Sequence, residues 1–195
     1  MVNNLKIYNN FNLGRKDKGS IILIGNFDGL HKGHQKLFNK ARNFKKKYKL
    51  KIGVVTFDPI PKMFFRKLYN YRLSNFDQKI HLLKKNKVDF IINKKFNAKF
   101  SKITCFDFIK KILFKKIGPR YIFVSDNFRF GYKRAGNIKL LKSLEKDYHY
   151  KIINPSPLKS KTSVISSTLV RKNLETGNLK KVKKFLGRNW CIEGR

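Results

Sequence analysis

Short apolar runs alternate with amphipathic stretches along most of the chain, and this alternation restricts the possible folds more than any other feature. The continuous apolar run over residues 20–25 (SIILIG) is typical of a strand buried on both faces. After it, apolar residues recur every three or four positions, which predicts an amphipathic helix over residues 32–47. The same criteria predict further strands over 51–57, 88–92, 121–125 and 148–153, and helices over 106–114, 138–144, 167–175 and 178–186.

Another helix is predicted from Phe76, Ile80 and Leu83, which share one face, with Ser74 and Asp77 as its capping box. Five strands separated by helices predict a parallel sheet covered on both sides. The last two helices are joined at Gly177 and form a separate helical tail.

Several protein classes are excluded at this stage. The longest apolar runs fall far short of the ~20 residues that a membrane helix needs, and the first twenty residues do not resemble a secretory signal. Cys105 and Cys191 lie far apart and form no Cys-x-x-Cys pair. We therefore expect a reduced, cytoplasmic protein without a membrane partner.

The charge is strongly unbalanced, because 47 Lys and Arg residues against 11 Asp and Glu residues give a formal net charge of +36 at pH 7. A coding bias that enriches Lys, Asn, Ile and Phe together would leave most lysines on solvated surfaces. A nucleic acid would be attracted by such a field, whereas a small phosphorylated substrate would need only a few well-placed cations. Since 41% of the residues are hydrophobic, we expect a folded domain in each case.

The segment over residues 25–34 (GNFDGLHKGH) joins the first predicted strand to the first helix. In open α/β sheets, ligands bind at the carboxyl ends of strands, and a helix N-terminus presents free N–H groups to phosphate. His31 and His34 share one face of the first helical turn, where both imidazoles can donate hydrogen bonds to phosphate oxygens. Three glycines permit close turns or leave room for a phosphate: Gly25, Gly29 and Gly33.

Two other interpretations of this segment stay open. Asp28, His31 and His34 have the spacing of metal ligands, and surface histidines without a role would show the same pattern. The strand, glycine turn and helix start favour the phosphate interpretation. A second cluster over residues 165–171 (ISSTLVR) places hydroxyl groups and an arginine at another helix start, which suits the other side of a polyphosphate.

These two motifs, His-x-Gly-His and Ile-Ser-Ser-Thr-x-x-Arg, resemble those of the nucleotidylyltransferase superfamily. Residues 25–35 are close to the adenylyltransferase half of the bacterial bifunctional riboflavin kinase/FAD synthetase family. Further similar segments follow in the family's order: TFDPIP at 56–61, Phe96-Asn97 with Phe100-Ser101 and Phe106, NFRFG at 127–131 with Arg134 and Gly136, and LGR at 186–188. The similarity covers about residues 20–195, and the order of the motifs argues against coincidence.

The resemblance implies a Rossmann-like α/β fold of the nucleotidylyltransferase type, with a parallel sheet, helices on both faces and a short helical C-terminal segment. It also implies transfer of AMP from ATP, accompanied by Mg²⁺, to the phosphate of FMN, which gives FAD and pyrophosphate; no resident metal site is implied. The implied catalytic residues are His31, His34, Asn127 and Arg171. The implied ATP contacts are Gly25, Asn26, Phe27, Asp28, Gly29, Gly33, Ser166, Ser167 and Thr168, and the implied flavin contacts are Pro59, Pro61, Phe65 and Phe130.

The chain departs from the family at two positions, with Ile60 in place of the usual His and Ser125 in place of the usual Gly. We expect residues 1–187 to form the FMN adenylyltransferase domain and residues 188–195 to be a linker or the start of a riboflavin kinase domain. Riboflavin kinase activity is then not expected from this chain. The last four residues, Ile-Glu-Gly-Arg, also match a protease recognition site.

Other functions stay open from the sequence. A related nucleotidylyltransferase would keep the fold and use another acceptor, such as nicotinamide mononucleotide, phosphopantetheine or an alcohol phosphate. A basic nucleic-acid-binding protein would use the net charge, although neither an RNP-like aromatic signature nor zinc-finger spacing supports specific recognition. An inactive fragment with the same fold is a further alternative, and the aromatic residues assigned to flavin can equally be core residues.

Overall fold

The structure is a computed structural model that describes residues 5–66, 68–160 and 163–193. Six strands form one parallel sheet in the order β1-β4-β3-β2-β5-β8. These strands are β1 (Lys6–Tyr8), β2 (Ile21–Ile24), β3 (Ile52–Asp58), β4 (Phe90–Lys95), β5 (Tyr121–Phe123) and β8 (Lys151–Ile153). Because the strand order reverses between β2 and β5, a crevice opens outside the carboxyl ends of these strands, where such sheets bind ligands.

The helices are α1 (Lys32–Tyr48), α2 (Pro61–Phe65), α3 (Phe76–Lys85), α4 (Ala98–Ser101), α5 (Cys105–Asp107), a π helix (Phe108–Ile117), α6 (Ile138–Ser143), α7 (Ser167–Glu175) and α8 (Leu179–Leu186). Two small antiparallel pairs complete the strands: β6 (Arg129–Phe130) with β7 (Gly136–Asn137), and β9 (Lys159–Ser160) with β10 (Ser163–Val164). The predicted parallel sheet with a helical tail is confirmed. Three short 3₁₀ turns lie at Arg15–Asp17, Asp28–Leu30 and Tyr132–Arg134.

Two apolar cores cover the two faces of the sheet. On one face, Phe38 of α1 and Leu83 of α3 pack against Val54 and its neighbours. On the other, Ile109 of the π helix and Leu141 of α6 pack against the alternate residues of the same strands. A buried leucine or phenylalanine contributes about 1.5–3 kcal/mol of transfer free energy, so these cores fix the sheet and, with it, the loops at its carboxyl edge.

A third apolar cluster attaches the helical tail to the sheet domain. Val170 of α7 and Leu186 of α8 are fully buried, and Leu73, which precedes α3, is buried with them. Gln35 of α1 donates to the carbonyl oxygens of Leu30 and Leu186 at 3.0 and 2.8 Å. The tail therefore packs directly against the start of α1.

The edge strand β1 was not predicted from the sequence, because it has only three residues and no fully buried side chain. It pairs with β4, and it is also joined to Asp17, whose carboxylate accepts hydrogen bonds from Tyr8 Oη at 2.6 Å and from Lys51 Nζ at 2.6 Å. Burial opposes ionisation of this carboxyl group, but the hydrogen bonds from Lys51, Tyr8 and Lys6 outweigh burial and lower the pKa of Asp17 to about 2.

The predicted capping box of α3 is wrong by one residue. The cap is Asn75, whose side chain accepts from the Gln78 N–H while the Gln78 side chain accepts from the Asn75 N–H. Ser74 instead accepts a hydrogen bond from the Gly29 N–H at 3.3 Å. Both Ser-x-x-Asp and Asn-x-x-Gln fit a capping box, and the tertiary contact of Ser74 selects the second.

No helix in the described ranges is long and apolar enough to cross a membrane. The predicted division at residue 187 stays a prediction, and Gly194 and Arg195 lie outside the described residues. Within the described part, Gln78 Nε2 of α3 donates to the Cys191 carbonyl oxygen at 3.2 Å, and Trp190 Nε1 donates to the carbonyl oxygen of Leu73, which precedes α3, at 2.9 Å.

Candidate active site

A cleft of about 950 Å³ lies at the carboxyl edge of the sheet, beside the ends of β2, β3 and β5. It brings together twelve of the site residues predicted from the sequence: Gly25, Asn26, Phe27, Asp28, His34, Pro61, Phe65, Asn127, Phe130, Ser167, Thr168 and Arg171. The other five do not line the cleft: Gly29, His31, Gly33, Pro59 and Ser166. Segments more than a hundred residues apart thus meet at one site, as the two motifs suggest.

The loop between β2 and α1 is folded tightly under the cleft. Phe27, Gly29 and Leu30 have positive φ angles of 48°, 71° and 39°. A Cβ atom on Gly29 would lie 2.8 Å from the Leu73 side chain, so both the φ angle and the available space require glycine here. This packing fixes the loop that carries the first motif.

Asp28 links the two predicted motifs. Its carboxylate, with 3% of the side chain exposed, lies 2.5 Å from Arg171 Nη2 and accepts hydrogen bonds from the N–H groups of Leu73 and Ser74. Its carbonyl oxygen accepts from Ser167 Oγ at 2.9 Å. The Asp28 carboxylate is therefore occupied by protein donors, which argues against the metal-ligand interpretation of Asp28.

Arg171 is held on three sides. Its Nε donates to the Tyr71 carbonyl oxygen at 2.7 Å, and its guanidinium group lies 3.7 Å from the centre of the Tyr71 ring. Lys62 Nζ also lies over this ring, at 5.0 Å. Tyr71 could not be predicted as a site residue, because nothing in its local sequence indicates that the ring contacts the side chains of both Lys62 and Arg171.

The structure requires glycine at position 33 for a different reason from the one expected, which was room for a phosphate. A Cβ atom at this position would lie 2.8 Å from the Ile165 carbonyl oxygen and 3.0 Å from His31 Nδ1. Protein atoms, rather than a phosphate, take the space that the missing side chain leaves. Gly33 thus allows the second motif to approach the start of α1 closely.

The two histidines of the first motif stack on each other, with ring centroids 3.7 Å apart and an interplanar angle of 22°. His31 is buried beneath His34, and its Nδ1 caps α1 by accepting from the His34 N–H at 3.3 Å. The edge of the Phe27 ring packs against His34, with centroids 5.2 Å apart. His34 faces the cleft, whereas His31 supports it.

Burial keeps both imidazoles neutral. Burial, with a smaller effect from the Arg171 charge, lowers the pKa of His31 to about 4. The pKa of His34 lies well below its usual range, because burial disfavours its charged form first, and the positive charges of His31, when protonated, and of Lys79 add to this effect. A neutral imidazole has one N–H group, and in His31 it must be Nε2–H because Nδ1 is an acceptor.

The tautomer of His34 follows from the surroundings of its Nδ1 atom. Its Nδ1 is buried and has no hydrogen-bond partner among the described residues. A buried N–H group without an acceptor is rarer than a buried acceptor without a donor, so we assign the proton to Nε2. His34 is then a neutral N–H donor on the wall of the cleft.

The other polar groups of the site are also positioned by the protein. Ser166 Oγ caps α7 by accepting from the Leu169 N–H at 3.2 Å, which explains why it does not line the cleft. Ser125 Oγ donates to Asn127 Oδ1 at 3.0 Å, and the Asn127 amide NH₂ group, which has no acceptor among the described residues, can donate to a ligand. Ser125, which stands where the family usually has glycine, thus orients Asn127, a predicted catalytic residue.

A group of aromatic side chains, the aromatic wall, lines another part of the cleft. Phe96 contacts Phe57, Phe65 and Phe100 at centroid distances of 5.7–6.0 Å. Phe65 is 66% exposed, whereas Phe130 is buried against Phe108 and Phe128. The core interpretation therefore fits Phe130 better than Phe65. The departure Ile60 is buried and adds an apolar group to this wall.

The low pKa of His31 predicts a pH dependence of stability. Between about pH 6.5 and pH 4, the unfolded chain binds a proton that the folded chain does not. The contribution of the neutral His31 to the free energy of unfolding should therefore be fully present above pH 6.5, and about 3 kcal/mol of it should be lost as the pH drops through this window. The neutral His34 adds to this loss, because its pKa is also lowered by burial. The window of Asp17 lies lower, because its pKa falls from 3.8 to about 2.

Urea unfolding at pH 7.5, 6 and 4.5 measures this effect. His31→Asn keeps a side-chain acceptor for the cap and removes the titrating group. The variant should show a shallower decline in the free energy of unfolding. An equal decline in wild type and variant would contradict the burial of a neutral His31.

Comparison with models of known protein families shows which family the chain belongs to. The FAD synthetase family model matches residues 13–169, about four fifths of the chain. The chain belongs to the FAD synthetase family. The match contains both histidines, Asn127 and the hydroxyl cluster, and ends two residues before Arg171.

Relatives in this FAD synthetase family are longer proteins. The chain is 40% identical over 185 residues to a bifunctional riboflavin kinase/FMN adenylyltransferase of Buchnera aphidicola from Acyrthosiphon pisum, covering 94% of this chain and 59% of the relative. It is 32% identical over 179 residues to the protein of the same name from Escherichia coli K12, covering 91% and 57%. The chain thus spans somewhat less than three fifths of the length of these relatives.

Among solved structures, a Streptococcus pneumoniae protein described as a macrolide-efflux protein superposes with a TM-score of 0.83 at 26% identity. The alignment covers 95% of this chain and 72% of that one. This similarity agrees with the parallel-sheet architecture of the FAD synthetase family member described above.

Proposed function

We propose that this chain is an FMN adenylyltransferase, which transfers the AMP group of ATP to FMN and releases pyrophosphate. The observation that carries the proposal is that a single cleft joins the polar cluster around His34 and Arg171 to an aromatic wall around Phe65. A volume of about 950 Å³ suits two ligands bound side by side. Membership of the FAD synthetase family supports the same reaction.

The proposed reaction is an in-line displacement at phosphorus. An oxygen of the FMN phosphate forms a bond to the α-phosphorus of ATP, and the bond from that phosphorus to the bridging oxygen of the β-phosphate breaks. The leaving pyrophosphate takes the electron pair. Neither a covalent enzyme intermediate nor a general base is needed, since the attacking oxygen is already anionic. Positioning and charge stabilisation then supply the rate enhancement.

The residues have distinct proposed roles. The Nε2–H group of His34 donates to a phosphate oxygen at the α-phosphorus, and Arg171 stabilises the charge that develops on the leaving pyrophosphate. Thr168 and the Asn127 amide add further donors along the lining of the cleft. His31 acts as a positioning residue, because it caps α1 and supports the His34 ring.

Mg²⁺ is proposed to enter with ATP, as part of the substrate. Within the described ranges, no group of three or more His, Cys, Asp or Glu side chains is placed to hold a metal ion. ATP and FMN are the proposed small-molecule partners.

The exposed ring of Phe65 provides a test of the flavin side. If this ring covers the isoalloxazine, Phe65→Ala should raise the KM for FMN about tenfold, in line with the energy of one aromatic contact. The KM for ATP and the melting temperature should change little. Tyr69→Ala is the matched control, since Tyr69 is 86% exposed and does not line the cleft. Equal KM values for FMN in both variants would contradict this assignment.

The preferred acceptor distinguishes an FMN adenylyltransferase from a related nucleotidylyltransferase that uses another phosphate acceptor. FMN, nicotinamide mononucleotide and phosphopantetheine should be compared as acceptors with MgATP, by chromatography of the products and by kcat/KM. The aromatic wall favours FMN, because a flat heterocycle stacks on such rings. A higher kcat/KM for another acceptor would replace FMN in the proposal.

Two further statements stay predictions. We expect no riboflavin kinase activity from this chain, since residues 13–169 match the synthetase family and the two relatives named as bifunctional are longer. The cytoplasmic location and the lack of a specific nucleic-acid partner likewise rest on the sequence alone.

A further inference from the structure

Lys79 is a buried lysine in the second turn of α3. It is 6% exposed and lies four residues before Leu83, on the face of the helix that packs against the sheet. Lysine is almost never fully buried unless it is paired. Within the described ranges, its Nζ makes no ion pair shorter than 4 Å, and its one hydrogen bond is to Thr56 Oγ1 at 3.5 Å.

Thr56 connects this lysine to the cleft. Its side chain is fully buried near the end of β3, and its hydroxyl group donates to the Asn26 carbonyl oxygen at 3.3 Å. Asn26 belongs to the loop after β2 and lines the cleft. Asn93, the partner of Thr56 on β4, has a buried Oδ1 without a hydrogen-bond partner among the described residues. A polar contact path therefore runs from α3 through β3 to the loop under the substrate site.

Stability alone does not account for a lysine at this position. An unpaired buried ammonium group is costly, and an apolar residue of similar size would pack there without that cost. Burial lowers the pKa of Lys79, while the nearby carboxylates of Asp28 and Asp58 favour its charged form and the Arg72 charge opposes it. The charges that act on Lys79 therefore include that of Asp28, which lines the cleft.

We propose that Lys79 is a positioning residue for adenylyl transfer, which fixes the loop after β2 through the Thr56 hydroxyl group and thereby holds the ATP-side contacts in place. This inference rests on the proposed function. It assigns to Lys79 no contact with substrate. The loop residues from Gly25 to Asp28 line the cleft and are among the ATP contacts predicted from the sequence, so a change in their support should affect ATP more than FMN.

The test replaces Lys79 with methionine, which has similar volume and no charge. Lys84→Met is the matched control, because Lys84 lies on the same helix, is exposed and carries the same charge. We expect Lys79→Met to lower kcat/KM for MgATP about tenfold or more while the KM for FMN stays within about twofold. Its melting temperature should equal or exceed that of wild type, which a structural role would not allow.

Thr56→Val provides an independent variant and a double-mutant cycle. If both residues act through one path, Thr56→Val should also lower kcat/KM for MgATP with little change in the KM for FMN. The kcat/KM for MgATP of the double variant should then be no lower than that of the less active single variant. Fully additive losses, unchanged kcat/KM for MgATP in Lys79→Met, or a lowered melting temperature with normal kinetics would each overturn the inference.

The inference and the proposed function can fail separately. If wild type makes FAD but Lys79→Met matches Lys84→Met in kinetics, only the inference fails. If wild type makes no FAD, the proposed function fails. The rise in melting temperature on adding MgATP then still measures how tightly the site that includes the loop after β2 binds MgATP. A smaller rise for Lys79→Met than for Lys84→Met would support the role of Lys79, and equal rises would overturn it.

Discussion

His34→Asn should lower kcat for FAD formation about a hundredfold or more, whereas His34→Gln should retain a large part of the activity. The amide nitrogen of glutamine reaches about the same position as Nε2 of histidine, but that of asparagine reaches only the position of Nδ1. If the neutral Nε2–H group is the donor to the transferred phosphate, its loss should cost about as much as the loss of an oxyanion-hole donor.

The measurement is steady-state formation of FAD by the two variants, with melting temperatures as the control. Both variants lose the stacking of His34 on His31, so a difference between them cannot come from that contact. Equal activity in the two variants would contradict the assigned tautomer. Near-normal kcat in both would remove His34 from the proposed mechanism.

Replacing Arg171 should have a second large effect, and here stability and catalysis must be separated. Arg171→Ala leaves the buried Asp28 carboxylate without its cation, which typically costs about 3–5 kcal/mol of unfolding free energy. The double variant Arg171→Ala/Asp28→Asn removes that unpaired charge and should recover much of the stability. Its kcat/KM should stay about a hundredfold below wild type, because the cation at the leaving phosphates is still missing.

Urea unfolding and FAD formation by the single and double variants provide the two readouts. Asp28→Asn alone is the matched control for the change at Asp28. Recovery of both stability and activity in the double variant would show that Arg171 serves only as the counterion of Asp28. That result would contradict its proposed role at the leaving group.

The sheet and the central motif could be predicted because their signals are local. The apolar run that becomes β2 and the glycine and histidine pattern after it need no knowledge of distant residues. The edge strand β1 lacks such a signal, since its three residues are mostly exposed. The helix predicted over 106–114 becomes α5 and a π helix that continues to Ile117, and periodicity does not distinguish these forms.

The structure places most of the predicted site residues along one cleft, and it also shows contacts that the sequence does not indicate. Asp28 was expected to contact ATP, yet its carboxylate binds backbone N–H groups of residues 73 and 74 that are distant in the sequence. Tyr71 was missed for the same reason. Lys79 had a usable signal, because it lies four residues before Leu83 on the predicted apolar face, but in a chain with 47 Lys and Arg residues one more lysine attracts no notice.

The net charge of +36 contributes less to the proposed chemistry than its size suggests. Four lysines of α8 lie on its exposed face, away from the apolar cluster: Lys180, Lys181, Lys183 and Lys184. In the cleft, the cations include Lys62, Arg129, Lys133, Arg134 and Arg171. The field can raise the local concentration of anionic substrates at low salt, but the reaction depends on the few groups fixed beside the loop after β2.

The most direct test of the central claim follows the fate of labelled ATP. The protein is incubated with Mg²⁺ and either α-³²P- or γ-³²P-labelled ATP, with FMN or riboflavin as the acceptor. We predict that with FMN the α-label appears in FAD and the γ-label in pyrophosphate, and that riboflavin acquires neither label. Transfer of the γ-label to riboflavin, or no α-labelled FAD from FMN, would contradict the account.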